Sequence, residues 1–146
     1  MKNKLNYAVI GSGSWATAIV KILSDNLNSV GWYIRNEETL DYIQKNKHNP
    51  NYLSSVEFNK SNLQLNGDIN EVVKIADIII LVVPSEFINS ELKKIKIDIS
   101  KKIIISGIKG IVPETGLLID GVYLLPGDKK NTFVNVSRRI FSIYIK

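Results

Sequence analysis

A short glycine-rich string at residues 11–16, GSGSWA, constrains the fold of this chain more than any other feature. It begins where the apolar run Tyr7–Ile10 stops, and a stretch with apolar residues at helical spacing follows it. A strand, a glycine turn and a helix in this order predict a cradle for the phosphates of a dinucleotide. The string alone is equally typical of an ordinary turn, so its surroundings must decide. The residues predicted to form the cradle are Gly11, Ser12, Gly13, Ser14, Trp15 and Ala16.

Three residues of the string have distinct expected roles. Gly11 permits a tight turn, and Gly13 lets backbone N–H groups approach a pyrophosphate with no side chain between them. The small side chain of Ala16 lets the helix lie close to its strand. The start of that helix then offers unpaired N–H donors and a partial positive charge to the phosphates.

The rest of the chain alternates predicted strands with predicted helices. We expect strands over 6–10, 29–34, 63–65, 78–83 and 102–106, and helices over 14–27, 37–45, 70–75 and 85–95. The run Ile78–Val83 is continuous and apolar, which is typical of a strand covered by helices on both faces, and Ser85 is expected to cap the helix after it. The pattern predicts an α/β fold with a doubly wound, Rossmann-like parallel sheet and a ligand crevice at the carboxyl ends of the strands.

Composition excludes several kinds of site. The 146 residues contain no cysteine and one histidine, His48, so we expect no disulfide, no thiolate chemistry and no metal site. The longest uninterrupted apolar run is far too short to cross a bilayer, and the N-terminus lacks the apolar core of a secretory signal. We therefore expect a cytoplasmic protein without a membrane span.

The net charge of +5 has a local origin. Residues 129–146 hold 5 of the 19 basic residues and no acid, whereas the other 128 residues hold 14 basic and 14 acidic side chains. A neutral main body lacks the electrostatic excess of a nucleic-acid-binding domain. Nucleic acid is accordingly not an expected partner.

Arg35 and Asn36 follow the second predicted strand, about 20 residues after the glycines. NAD-selective domains place an acid at this point to hold the ribose hydroxyl, whereas an arginine attracts a 2′-phosphate. A solvated arginine is the alternative, and Glu37 or Glu38 remains within reach of a ribose. We predict binding of NADP or NAD, with NADP or dual use favoured.

Three further residues are candidates with weaker signals. Lys109 follows the strand 102–106 between two glycines, where it can neutralise a phosphorylated substrate or polarise a carbonyl; with 16 lysines in the chain, a solvated side chain is the alternative. Pro84 follows the strand 78–83 and either borders the nicotinamide ribose or simply ends the strand. His48 lies in a turn-rich segment and is interpreted as an ordinary turn residue.

Four strings together resemble one family. GSGSWATA, HNPNYL, LVVPSEF and IKGIVPETG occur in the order and spacing of the N-terminal domain of bacterial NAD(P)-dependent glycerol-3-phosphate dehydrogenase, over about residues 5–119. The resemblance implies that Ser14, Trp15 and Arg35 contact the cofactor, and that Lys109 lies near the nicotinamide and the substrate phosphate. It implies hydride transfer between the nicotinamide and dihydroxyacetone phosphate or glycerol 3-phosphate, for phospholipid precursors, and it allows a homodimer of the full-length protein.

The chain departs from the family pattern at its end and at two positions. Ala16 stands where the family more often has glycine, and Ile108 stands where serine or threonine is usual. Residues 1–119 are expected to form the dinucleotide-binding domain. We interpret residues 120–146 as a foreign or frame-shifted tail on a truncated enzyme that lacks the helical second domain. A genuine terminal strand over Arg139–Ile145, at an exposed sheet edge, is the alternative.

The catalytic prediction follows from this interpretation. In the family, the lysine that acts as general acid and base lies in the second domain, so the sequence predicts no catalytic residue here and a chain that binds cofactor with little turnover. The alternatives are a non-catalytic dinucleotide-binding module and a related reductase acting on another hydroxyacid or ketone.

Overall fold

The computed structural model describes residues 5–27 and 29–108, and the backbone of residues 133–135. The strands are β1 (Tyr7–Ile10), β2 (Val30–Tyr33), β3 (Leu63–Asn66), β4 (Ile78–Leu81), β5 (Ile103–Ser106) and β6 (Phe133–Asn135). The α-helices are α1 (Ser14–Asn26), α2 (Glu37–Asn46), α3 (Ile69–Lys74) and α4 (Ile88–Leu92). Short 3-10 turns cover Lys60–Asn62 and Ser85–Phe87.

Within these described residues, six parallel strands form one sheet in the order β3-β2-β1-β4-β5-β6. The chain adds strands outward from β1 on one side, then returns to β1 and builds outward on the other side. The register aligns Ile10 with Tyr33 of β2 and with Leu81 of β4, so the carboxyl ends of the central strands lie level. The predicted doubly wound α/β fold is confirmed.

Both faces of the sheet are buried, which explains the apolar strand sequences. On one face, α3 and α4 cover alternate strand residues such as Ala8 and Tyr33. On the other face, α1 and α2 cover Val9 and Trp32. Side chains of successive strand residues point to opposite faces, so each central strand contributes to both cores.

The predicted helix over 85–95 is wrong in its form. The structure has a 3-10 turn followed by the five-residue helix α4, and Pro84, not Ser85, occupies the cap position without a side-chain cap. A tertiary contact accounts for the early end of α4. The side chain of Asn70 donates to the carbonyl of Lys94 at 3.0 Å and accepts from the backbone N–H of Lys96 at 2.8 Å, which holds the chain in a turn.

Other expectations are met at the level of single elements. The strands and helices before residue 80 agree with their predicted bounds to within a residue or two. Lys109 and the alternative strand Arg139–Ile145 lie outside the described residues. Within 120–146, the structure describes β6, which pairs with β5. Among the helices that the structure describes, none has the length and apolar character needed to cross a bilayer.

Candidate functional site

The sheet order places a crevice at the carboxyl ends of β1 and β4. The connection from β1 runs to β2 on one side, whereas β4 begins the other half of the sheet. Loops leaving neighbouring strands in opposite directions open a ligand crevice at this switch point. The predicted string 11–16 follows β1, and Pro84 lies three residues after β4, so both border the same crevice.

Gly11 and Gly13 differ in their backbone conformation and in the space around them. Gly11 has φ +130°, and a Cβ there would lie 2.6 Å from the carbonyl oxygen of Val82, so both conformation and space demand glycine. Gly13 has φ −76° and is the N-cap of α1. A Cβ on Gly13 would meet no atom within 4 Å. The absence of a side chain there leaves open space at the helix start, as a phosphate cradle requires.

Hydrogen bonds from outside the string hold the glycine turn in place. The indole Nε1 of Trp32, fully buried in β2, donates to the carbonyl of Gly11 at 2.7 Å. The side chain of Asn49 donates to the carbonyl of Ser12 at 3.2 Å and to the hydroxyl of Thr17 at 2.9 Å. The Thr17 hydroxyl in turn donates to the carbonyl of Gly13 at 2.8 Å. The carbonyls are thus tied inward, which is compatible with N–H groups facing the crevice.

Sequence reasoning did not identify Asn49. The segment around it is a loop as predicted, but Asn49 itself is fully buried, and its side-chain oxygen accepts from the backbone N–H of Asn51 at 3.0 Å. An asparagine before a proline is usually read as a turn signal alone. The string HNPNYL therefore has a role that its turn propensity conceals: it braces the glycine turn.

The start of α1 divides into exposed and buried positions. Ser14 and Trp15 are exposed, whereas Ala16 is fully buried against the sheet, as expected for the residue that lets the helix lie close. Trp15 lies across the crevice towards the end of β5, since a Cβ on Gly107 would be 3.0 Å from its Nε1. The indole thus lines the crevice beside the glycine turn.

Arg35 lies at the end of β2, as predicted, but it is not a freely solvated cation. Its Nη1 donates to Oε1 of Glu91 at 3.3 Å, and its guanidinium lies 5.0 Å from the centre of the Phe87 ring. More than half of the side chain, 55%, is nevertheless exposed. Asn36 uses its side-chain oxygen to cap α2, accepting from the backbone N–H of Thr39 at 2.7 Å.

Glu91 gathers three donors around a buried carboxylate. Its Oε2 accepts from the Tyr33 hydroxyl at 2.9 Å, and the ammonium of Lys94 lies 2.9 and 3.0 Å from its two oxygens. Burial, together with the neighbouring Glu91 carboxylate, raises the pKa of Tyr33. Burial alone lowers the pKa of Lys94, but hydrogen bonds to Glu91 and Tyr33 outweigh it, so that pKa is also raised. The ammonium of Lys94 therefore keeps its positive charge at neutral pH.

Two predicted candidates stand apart from these contacts. Pro84 is exposed at the edge of the crevice, and Lys109 lies outside the described residues. His48 is half-buried, with its ring edge-on to Tyr42 at 5.3 Å. A surface cavity of about 410 Å³ lies between the end of α2 and the loop after it and includes His48, but it contains none of the predicted cofactor residues.

Comparison with known proteins identifies the family. Residues 6–127 match the model of the NAD-dependent glycerol-3-phosphate dehydrogenase N-terminus, somewhat beyond the 5–119 over which the sequence strings resemble it. The chain is 37% identical over 113 residues to a glycerol-3-phosphate dehydrogenase [NAD(P)+] of Bacillus velezensis, covering 77% of this chain and 32% of the relative. It is 32% identical over 123 residues to one of Teredinibacter turnerae, covering 84% of this chain and 36% of the relative.

A solved structure agrees with the sequence relatives. The glycerol-3-phosphate dehydrogenase of Plasmodium falciparum superimposes with a TM-score of 0.68 and 31% identity, over 78% of this chain and 35% of that one. The chain thus spans about a third of the length of the relatives that it matches. Four strings in register, the strand order and the matched residues lead to one conclusion: the chain belongs to the family of the NAD-dependent glycerol-3-phosphate dehydrogenase N-terminus.

Proposed function

We propose that this chain binds NADP or NAD in the crevice between the carboxyl ends of β1 and β4, as the cofactor domain of a glycerol-3-phosphate dehydrogenase. One observation carries the proposal. At position 11 the positive φ and the nearby Val82 carbonyl allow only glycine, while the neighbouring Gly13 leaves the start of α1 open. A turn that is tight on its protein side and open on its crevice side fits a pyrophosphate.

The proposal assigns each part of the crevice a role. The backbone from Gly11 to Ala16 binds the pyrophosphate at the N-terminus of α1. Arg35 and Asn36 bind the adenosine ribose, and a 2′-phosphate where there is one. Trp15 and Pro84 border the nicotinamide end, and Lys109 neutralises the phosphate of the substrate.

The reaction proposed for the full-length protein is the interconversion of dihydroxyacetone phosphate and glycerol 3-phosphate, a step towards phospholipid precursors. The nicotinamide, when bound, supplies or accepts the hydride. This chain orients that ring and holds charge near the substrate, whereas proton transfer belongs to a second domain of the family. We accordingly expect the 146-residue chain to bind the cofactor with little turnover, since lost general acid–base catalysis costs about 10²- to 10⁴-fold in rate.

A phosphorylated small molecule is thus the proposed partner, and a cytoplasmic location and a homodimer of the full-length protein remain predictions. The family names of the relatives support the substrate class. The interpretation of residues 120–146 as a tail foreign to the enzyme likewise remains a hypothesis, although the family match extends through its first eight residues, to residue 127. Sequencing the encoding DNA beyond this point tests it. A clean reading frame with no family-like continuation in any frame contradicts a frameshift.

Titration with NADPH and NADH tests the proposed site. We expect saturable binding of both to the 146-residue chain, followed by isothermal calorimetry, and a larger loss of NADPH than of NADH affinity in Arg35→Ala. Gly13→Val places a side chain in the open space of the cradle and is expected to lower the affinities for NADPH and NADH by the same factor. Absence of saturable binding contradicts the proposal. If Arg35→Ala lowers the NADPH and NADH affinities by the same factor, the proposed contact between Arg35 and the 2′-phosphate is wrong.

A spectrophotometric assay tests the expected lack of turnover. We expect the purified chain to oxidise NADPH in the presence of dihydroxyacetone phosphate far more slowly than a full-length relative does. Turnover at the rate of a full-length enzyme contradicts the assignment of proton transfer to another domain. Binding of cofactor without any effect of the substrate favours a non-catalytic dinucleotide-binding module.

A further inference from the structure

Four side chains form what we call the charged cluster: Tyr33, Arg35, Glu91 and Lys94. Tyr33 ends β2 and Arg35 follows it, whereas Glu91 lies in α4 and Lys94 lies two residues after that helix. Helix α4 packs on the same face of the sheet as Tyr33. At its centre lies the carboxylate of Glu91, with only 3% of the side chain exposed. A buried carboxylate is strongly destabilising unless cations and hydrogen-bond donors compensate it, so its partners are held there.

The two cations of the charged cluster bind Glu91 unequally. Lys94 lies 2.9 and 3.0 Å from the two carboxylate oxygens, whereas Arg35 reaches one oxygen with one nitrogen at 3.3 Å. An arginine has five N–H donors, so a single long contact engages only a small part of its capacity. Arg35 is therefore tethered to Glu91 while most of its guanidinium remains able to bind another anion.

Glu91 itself is too buried to bind a ribose. Dinucleotide-binding domains selective for NAD carry an exposed acid at the end of the second strand, and this chain has Arg35 there instead. Its nearby acid comes from α4 and is covered by the cations that bind it. Any effect of Glu91 on a cofactor must therefore pass through Arg35.

We propose that Glu91 is a specificity-determining residue that competes with the 2′-phosphate of NADP for the guanidinium of Arg35. The inference rests on the proposed function, which places the adenosine ribose beside Arg35. Glu91 offsets part of the Arg35 charge and thereby limits the preference for NADP over NAD. Lys94 counteracts this effect, because it occupies both oxygens of the same carboxylate and weakens the hold of Glu91 on Arg35.

The ratio of the dissociation constants of NADH and NADPH tests the proposal, measured on the 146-residue chain by calorimetry. Glu91→Gln frees Arg35 and is expected to raise this ratio about threefold to fivefold, the size of a partly exposed ion pair. Lys94→Gln leaves Arg35 as the remaining cation on Glu91 and is expected to lower the ratio. In the background of Arg35→Gln, Glu91→Gln is expected to have no effect on the ratio.

A second ion pair provides matched controls. Glu71 and Lys74 form a pair with the same three-residue spacing on α3, at 4.0 Å and with both side chains exposed. Glu71→Gln and Lys74→Gln change the net charge as the two test variants do, but they do not contact Arg35. We expect both controls to leave the ratio unchanged, which separates a local contact from the overall charge of the chain.

The outcomes separate this inference from the proposed function. If the unmodified chain binds neither cofactor, both fail. If it binds both and Glu91→Gln leaves the ratio unchanged or lowers it, competition for Arg35 is wrong while the cofactor site stands. Should Glu91→Gln fail to fold, the half-exposed Lys94 decides, since an unchanged or raised ratio in Lys94→Gln contradicts the proposal.

Discussion

The two ends of the proposed cofactor site are held in place by different kinds of contact. At the glycine turn, neutral and buried hydrogen bonds from Trp32 and Asn49 fix the backbone itself. At the charged cluster, ionic contacts to Glu91 position side chains that remain partly exposed. Under the proposed function, the first arrangement would fix a shape that suits every dinucleotide, whereas the second would set a charge balance that distinguishes one dinucleotide from another.

Substitution of Gly11 gives the largest expected effect at the turn. Gly11→Ala combines a φ of +130° with a Cβ 2.6 Å from the Val82 oxygen. We expect the free energy of unfolding to fall by about 3 kcal/mol or more, because the backbone strain and the steric clash add. Gly13→Ala is the matched control, with open space and an ordinary φ; it is expected to cost less than about 1 kcal/mol. Urea unfolding of both variants measures the difference, and equal losses contradict the distinction between the glycines.

The brace from Asn49 gives the next largest effect. Asn49→Ala leaves the Ser12 carbonyl and the Thr17 hydroxyl without their common donor, and we expect a loss of about 2 kcal/mol in stability. It is also expected to lower the affinities for NADH and NADPH by the same factor, because the turn is proposed to bind the pyrophosphate that both cofactors share. Asn51→Ala, at an exposed neighbour that retains its backbone N–H, is the control. A change in the ratio of the two affinities contradicts the separation between the two ends of the site.

The sequence alone predicts the glycine turn better than its braces. The string 11–16, the order of strands and helices, and the place of Arg35 at the end of β2 all follow from local spacing. Trp32 binds Gly11 across 21 positions of the chain, and Asn49 binds Thr17 across 32 positions. Their own segments are typical of a buried strand and of a turn, respectively. Such contacts depend on how the chain folds back, which local patterns do not encode.

Glu91 shows the same limit at the other end of the site. The sequence places Glu91 in a predicted helix over 85–95, but the contact between Asn70 and the chain at Lys94 ends α4 early. The separation of 56 residues between Arg35 and Glu91 hides their contact from any local motif. Charge partners from another element are thus the part of this site that requires a three-dimensional structure.

Removing the Tyr33 hydroxyl gives the smallest expected effect and tests the ionic end. Tyr33→Phe keeps the ring but removes the donor to Glu91, at an expected cost of about 1.5 kcal/mol near neutral pH for a hydrogen bond to a charged group. The folded state raises the pKa of Tyr33, so the folded state holds this proton more tightly than the unfolded chain does. The contribution of the hydroxyl is therefore complete below the ordinary tyrosine pKa of about 10 and is lost as the pH rises through the higher folded value.

The difference in unfolding free energy between the unmodified chain and Tyr33→Phe is expected to be constant between pH 7 and 9 and to shrink above pH 10. The pKa of Lys94 is also raised, so its contribution falls in the same direction. The part due to Glu91 cancels in the difference, and the part due to the Tyr33 hydroxyl adds to the decline. Urea unfolding at a series of pH values measures this difference.

Asn49→Ala is the control from the other end of the site, because neither its amide nor the groups that it contacts titrate. Its cost is expected to stay the same across this range. A Tyr33→Phe difference that grows above pH 10 contradicts a buried hydroxyl held as a donor to Glu91, whereas a parallel decline in both variants shows that the two ends of the site do not differ in the ionic character assigned to them.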